Sequence, residues 1–201
     1  MAKTFNKEES HKMLYYILEH PRFSQRPMTK ELGWKHGERV SSFVSWLENL
    51  KYIKKTLETG KGKPRYEVPS RTALLNFYSR NRNMNDEKIG TYDIGRDYKS
   101  VRKYLSDNGA IMCLTTALQL YGDFFRDPSI HVYVENLKLL DIIPQQSKGD
   151  VKVHLYEYKY TDITRKKYGI RITSPTRTIM DLYCNNMAYA AEQLISEVWN
   201  V

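Results

Sequence analysis

The sequence predicts an α+β chain in two parts, on three observations. A helical apolar period over residues 38–50 is followed at once by two short alternating runs around a Gly/Lys turn. The excess positive charge is confined to the first part of the chain. The second part mixes short strands and helices without a βαβ repeat, which argues against a doubly wound parallel sheet.

The charge partition is numerical. The net charge is +9; residues 1–85 hold 17 Lys and Arg against 8 Asp and Glu, and residues 86–201 hold 15 of each. A generally basic surface would explain the total but not this division. A polyanion-binding module joined to a neutral module explains both.

In the first part, residues 9–19 read as a helix with Met13, Leu14, Ile17 and Leu18 as its stripe. His20-Pro21 ends it, because the residue before proline is driven out of the α region. Residues 23–27 read as a loop. Thr29 caps a short helix over 30–34 with Leu32 inward. Lys35-His36-Gly37 forms the turn, with Gly37 supplying a positive φ. In the helix over 38–50, Val40, Phe43, Val44, Leu47 and Leu50 fall on one face. Glu38, Ser42, Ser45 and Asn49 fall on the other, flanked by Arg39, Ser41 and Trp46.

The hairpin over 51–68 turns at Gly60 and Gly62. Ile53, Leu57, Tyr66 and Val68 face the core, and Lys54, Arg65 and Glu67 face out. Helix, short helix, turn, longer helix and basic hairpin form the order of a winged helix-turn-helix. A helix with a small polar outer face can enter a major groove, so Ser41, Ser42 and Ser45 are candidate DNA contacts, with Lys35, His36 and Arg39 at the helix start. Lys54, Lys55, Lys61, Lys63 and Arg65 on the wing are placed to meet phosphate.

Residues 70–83 read as a connecting helix with Ser70 as cap and Ala73, Leu74, Phe77 and Tyr78 as its stripe. The polar stretch that follows marks the boundary. The expected division is 1–68 as DNA-binding domain, 69–88 as connecting helix and linker, and 89–201 as a mixed C-terminal domain. There, strands are expected at 89–94, 129–135, 151–159 and 170–173, and helices at 97–105, 110–121, 176–184 and 187–199, with 137–143 ambiguous. Ser174-Pro175 is a helix-start signal, serine capping and proline at the first helical position. Arg177 and Asp181, spaced i, i+4, suit an ion pair.

Other classes find less support. No apolar run approaches the ~18 residues of a membrane span. The charged N-terminus lacks an apolar signal region, and two distant cysteines, read as half-buried thiols, suit a reducing cytoplasm. The scattered histidines show no metal-ligand spacing, and no nucleotide-binding glycine motif occurs, so neither metal nor cofactor is expected and the chain is read as a non-enzyme. The tyrosines at 15, 16, 156, 158 and 160 suit a core or protein interface better than base stacking. One rival comes from Asp150, Glu157 and Lys159, an Asp followed by E-x-K as in Mg²⁺-dependent nucleases of restriction-endonuclease type, although a solvated strand face explains it more simply. Another is a winged helix serving protein contacts alone.

The run Gly169-Ile170-Arg171-Ile172-Thr173-Ser174-Pro175-Thr176-Arg177-Thr178-Ile179-Met180-Asp181-Leu182 resembles a motif of the AbiEi-like antitoxins. The apolar segment 113–122 and the strand after it are similar to that family too. Thr176 departs from it, since the family usually has glutamate between the proline and the arginine. The resemblance implies a repressor of a type IV toxin-antitoxin operon, monomeric or homodimeric. It would bind operator DNA, possibly inverted repeats, through its winged helix. Its link to a nucleotidyltransferase-like toxin would be functional, without direct binding, and would need the C-terminal domain.

Overall fold

A computed structural model describes residues 7–56, 64–95, 97–122, 125–135, 149–160 and 164–199. The fold is mixed α+β. Two compact units divide it, Met1–Phe77 and Tyr78–Val201.

In the first unit, α1 (Lys7–Glu19) buries Met13, Leu14, Ile17 and Leu18. Strand β1 (Arg22–Phe23) lies where a loop was expected. It pairs with β3 (Arg65–Glu67), which in turn pairs with β2 (Lys54–Thr56), giving the antiparallel order β1-β3-β2. Helix α2 runs over Gln25–Glu31, earlier than expected. Pro27 sits in its first turn, where a missing N–H breaks no intrahelical bond. Thr29 is therefore inside the helix, its hydroxyl donating to the Gln25 carbonyl at 2.8 Å, and it does not cap. Met28, not Leu32, is the fully buried anchor. The left-handed glycine is Gly33, at φ +68, just past the helix end; Gly37 is ordinary at φ −84.

Helix α3 (Glu38–Asn49) follows the sequence period, with Val40, Phe43, Val44 and Leu47 completely buried. Leu50 departs from it, since the helix has ended there and its side chain is 44% exposed. Lys51 then turns left-handed at φ 63. Ile53, Tyr66 and Val68 point into the core. The hairpin tip with Leu57, Gly60, Lys61, Gly62 and Lys63 lies outside the described residues.

Helix α4 (Arg71–Ser79) starts where Ser70 Oγ accepts from the Ala73 N–H at 3.1 Å. It buries Leu74, Leu75 and Tyr78, leaves Ala73 exposed, and stops four residues before the expected end. The stretch read as a polar linker is exposed at Asn81, Asn83, Asn85, Asp86 and Lys88 but sends three side chains inward. Arg82, Met84 and Glu87 are buried around a 3-10 turn, Met84–Glu87.

The second unit is built on a six-stranded mixed sheet, order β4-β7-β6-β5-β9-β8. Its strands are β4 (Lys88–Ile94), β5 (Ile111–Met112), β6 (Ile130–Val134), β7 (Val151–Glu157), β8 (Thr164–Lys167) and β9 (Ile170–Thr173). β6 runs parallel to β7, and β5 to β9; the other pairs are antiparallel. Helix α5 (Tyr98–Asp107) is capped by Asp97, whose carboxylate accepts from the Ser100 N–H at 2.7 Å. The expected single helix over 110–121 is a strand, β5, and then α6 (Leu114–Tyr121). Its residues are mostly apolar because both pieces are largely buried. Helices α7 (Pro175–Cys184) and α8 (Ala188–Trp199) pack on each other, and α7 also packs on α6. Every residue of α7 is buried. Among the described residues no helix is long and apolar enough to cross a membrane. Residues 137–143, left ambiguous in sequence, are outside the described residues.

Candidate nucleic-acid interface

Burying Val40, Phe43, Val44 and Leu47 turns the opposite face of α3 to solvent. Glu38, Ser45 and Asn49 are exposed there, and Ser41 and Ser42 are partly covered. Lys35 and His36 are exposed in the turn before the helix. Arg39 is exposed too, but its guanidinium is ion-paired with Glu9 of α1, which holds it against the start of the helix.

The hairpin register places Lys54 opposite Glu67, Lys55 opposite Tyr66, and Thr56 opposite Arg65. Tyr66 anchors it from beneath. Its ring stacks on Phe23, with centroids 5.6 Å apart, and its hydroxyl accepts from Gln25 Nε2 at 3.1 Å. Burial, with Glu48 nearby, raises the Tyr66 phenol above its ordinary range, so it stays a neutral anchor. On the outer side, Glu67 lies between two cations, 3.3 Å from Lys54 Nζ and 3.6 Å from Arg22 Nη2. Lys54, Lys55 and Arg65 are exposed. Lys61 and Lys63 fall outside the described residues. Trp46, on the flank of α3, is 37% exposed and meets Phe43 and Phe77 at centroid distances of 5.6 and 5.4 Å.

The Ser-Pro-x-Arg motif does something different. Ser174 Oγ accepts from the Arg177 N–H at 3.2 Å, and Pro175 opens α7. Arg177 Nε donates to Asp181 Oδ1 at 2.8 Å, and both side chains are completely buried. Sequence reasoning missed the rest of the cluster. Arg82 Nη1 donates to the same Asp181 oxygen at 2.7 Å, and its Nε and Nη2 hold both oxygens of Glu87 at 2.8 Å. The Tyr133 hydroxyl accepts from Arg82 and Arg177, each at 2.9 Å. Two arginines and two carboxylates thus balance in a closed interior. Burial alone would lower the Arg82 guanidinium, but Tyr133, Asp181, Tyr78 and Glu87 around it hold it well above its ordinary value. Burial pushes the Tyr133 phenol well up, and the Cys184 thiol up to about 12. Cys113 and Cys184 are free and fully buried rather than half-buried. The cluster offers no reactive thiolate, and Asp181 Oδ2, which has no hydrogen-bond partner, is closed off from solvent, so its chemistry is structural.

Asp150 does not join the E-x-K pair. Asp150 precedes β7 and Glu157 ends it, seven residues apart on extended backbone, or roughly 23 Å. Lys159 Nζ is 3.2 Å from Glu157, at the end of β7 away from Asp150. Among the described residues no group of three or more His, Cys, Asp or Glu is placed to hold a metal ion.

One further polar cluster lies in the second unit. His131 stacks on His154 at 4.7 Å and meets Asp127 at 3.2 Å. Thr115 Oγ1 donates to Asp127 at 2.7 Å, as does the Ser129 N–H to the other oxygen at 2.8 Å. No protein-family model matches the sequence, and neither a curated protein nor a solved structure matches it.

Proposed function

We propose that the first unit is a winged helix-turn-helix that binds double-stranded DNA, and that the chain is a sequence-specific transcriptional regulator acting in the cytoplasm. The observation that carries this reading is the pairing of two surfaces on one unit. The outward face of α3 is small and polar, and the hairpin after it exposes Lys54, Lys55 and Arg65. The element order helix, strand, helix, helix, strand, strand, with the first strand on β3, supports the same reading.

In this mechanism α3 enters the major groove, whose ~12 Å width admits one helix. Ser42 and Ser45 approach base edges, and Arg39, steadied by Glu9, reaches phosphate or base at the helix start. The wing lies along the flanking backbone. DNA phosphate competes with Glu67 for Lys54, so the wing's ion pairs rearrange on binding. The α3 face has few arginines or asparagines, so backbone contacts and DNA shape supply much of the affinity.

The AbiEi-like motif of α7 extends the proposal. The chain would repress its own operon and act as antitoxin to a nucleotidyltransferase-like toxin that it does not bind directly, as a monomer or homodimer. The buried Arg177–Asp181 pair supports reading that motif as a scaffold of the second unit rather than as a contact surface. Hydroxyl-radical footprinting of the full chain on the DNA upstream of its gene tests the DNA reading. It should protect one or more discrete sites about one helical turn wide. No protection would reduce the first unit to a protein-contact module, and uniform protection would overturn sequence-specific recognition.

A further inference from the structure

The second unit contains an open cavity of about 750 Å³ between α5, the end of α6, the loop 125–128 and the start of β7. Its size is that of a small-molecule site. Lys99, Arg102 and Arg126 line it. Among the described residues none of these three side chains makes an ion pair or a hydrogen bond. Arg102 is the most telling. Its Nε is buried with no acceptor, and its guanidinium lies over the Tyr98 ring at 5.8 Å. A buried donor left unmet is costly and calls for an explanation.

The neighbouring polar groups do not supply one. Asp127 is already held by Thr115, Ser129 and His131. Gln119 accepts from the Tyr98 hydroxyl at 2.8 Å and donates to the Asp127 carbonyl at 2.9 Å. Asp150 lines the cavity and is exposed. The Phe125 and Tyr98 rings give the cavity an apolar lining beside the cations. An anion alone would leave that lining wet, and a neutral ring would leave Arg102 unmet.

We infer that this cavity binds a nucleoside phosphate. The phosphate meets the Arg102 guanidinium, whose side chain lines the cavity, and is drawn by Lys99 and Arg126, and the planar base covers Phe125. Arginine suits the phosphate because its fork matches two oxygens at once. Asp150 supplies an acceptor for an amino group on the base. The site belongs to the second unit and does not depend on the first unit binding DNA.

Isothermal titration of the full chain with AMP, GMP, CMP and UMP tests this, with inorganic phosphate and the four nucleosides as parallel probes. At least one monophosphate should bind about tenfold more tightly than phosphate or its own nucleoside, since both halves of the site contribute. Arg102→Gln should weaken it about tenfold or more. Arg126→Gln, at an exposed position that leaves the core untouched, should weaken it by a smaller factor. The inference is overturned if no monophosphate binds, if inorganic phosphate binds as tightly as the monophosphates, or if both variants bind like the unaltered chain.

Discussion

Arg82 and Asp181 are 99 positions apart in sequence, yet Arg82 Nη1 donates to Asp181 Oδ1 at 2.7 Å inside the second unit. The same oxygen also accepts from Arg177 Nε. One carboxylate thus ties the segment before β4 to α7, beneath the Tyr133 hydroxyl. Asp181→Ala would leave two buried guanidinium groups short of a counter-charge. It should cost about 3–5 kcal/mol, the usual penalty for removing one partner of a buried pair. Urea unfolding measures this. Arg82→Met, which removes a charge but keeps its volume, leaves the buried Glu87 carboxylate unpaired and should cost about as much as the Asp181 change.

Gly149 approaches the backbone of Ile94 and Gly95 too closely for a Cβ to fit, while the Asp150 N–H donates to the Gly95 carbonyl at 2.7 Å. Gly149→Ala must push apart the ends of β4 and β7. It should destabilise by about 1–3 kcal/mol, the range for overpacking a well-filled site. Thermal unfolding beside an exposed control, Gly109→Ala excluded because of its left-handed φ of 88, checks it.

His154 is the group that sets a pH dependence. Burial, and then the charge of His131 stacked against it, lower its pKa from the ordinary value of 6.5 to about 4. Between those two values the unfolded chain takes up a proton that the folded chain refuses. Stability therefore falls as pH drops from about 6.5 towards 4. Melting temperatures across that window should decline, and His154→Gln should flatten the decline. An equal decline in the variant would assign it to other groups.

The start of α7 was legible in sequence because its signal is local: a capping serine, a first-turn proline and an i, i+4 pair all lie within eight residues. The period of α3 was legible for the same reason. The rest of the Arg177–Asp181 cluster was not. Tyr133 reaches Arg177 and Arg82 reaches Asp181 from distant strands and turns, and charged residues in a polar-looking stretch read as linker until their counter-charges are placed. β8 was missed because Thr164–Lys167 is an edge strand whose residues are all polar, so no alternation marks it. The start of α2 was hidden by Pro27, which reads as a breaker but is harmless in a first turn. Arg102 stood out in no motif; only its unmet Nε and the cavity beside it single it out.

On the proposed wing, Lys54→Ala, Lys55→Ala and Arg65→Ala together should weaken DNA binding about equally on all sequences. Each lost phosphate contact should reduce the slope of log K against log salt by roughly 0.9. An unchanged slope would remove the wing from the interface.

On α3, Ser45→Glu places a carboxylate at an exposed position of the outward face while leaving Val40, Phe43, Val44 and Leu47 untouched. Circular dichroism and melting should stay close to those of the unaltered chain, since such surface changes usually move stability by about 0.5 kcal/mol or less. Preference for the operator should disappear.

The central claim is that the first unit reads double-stranded DNA. Fluorescence anisotropy of the full chain, titrated at fixed salt onto duplexes tiling the DNA upstream of its gene and onto shuffled duplexes of equal composition, tests it most directly. One tile should bind at least about a thousandfold more tightly than the shuffled set, the low end of specific recognition. Equal binding to every duplex, or none to any, would contradict it.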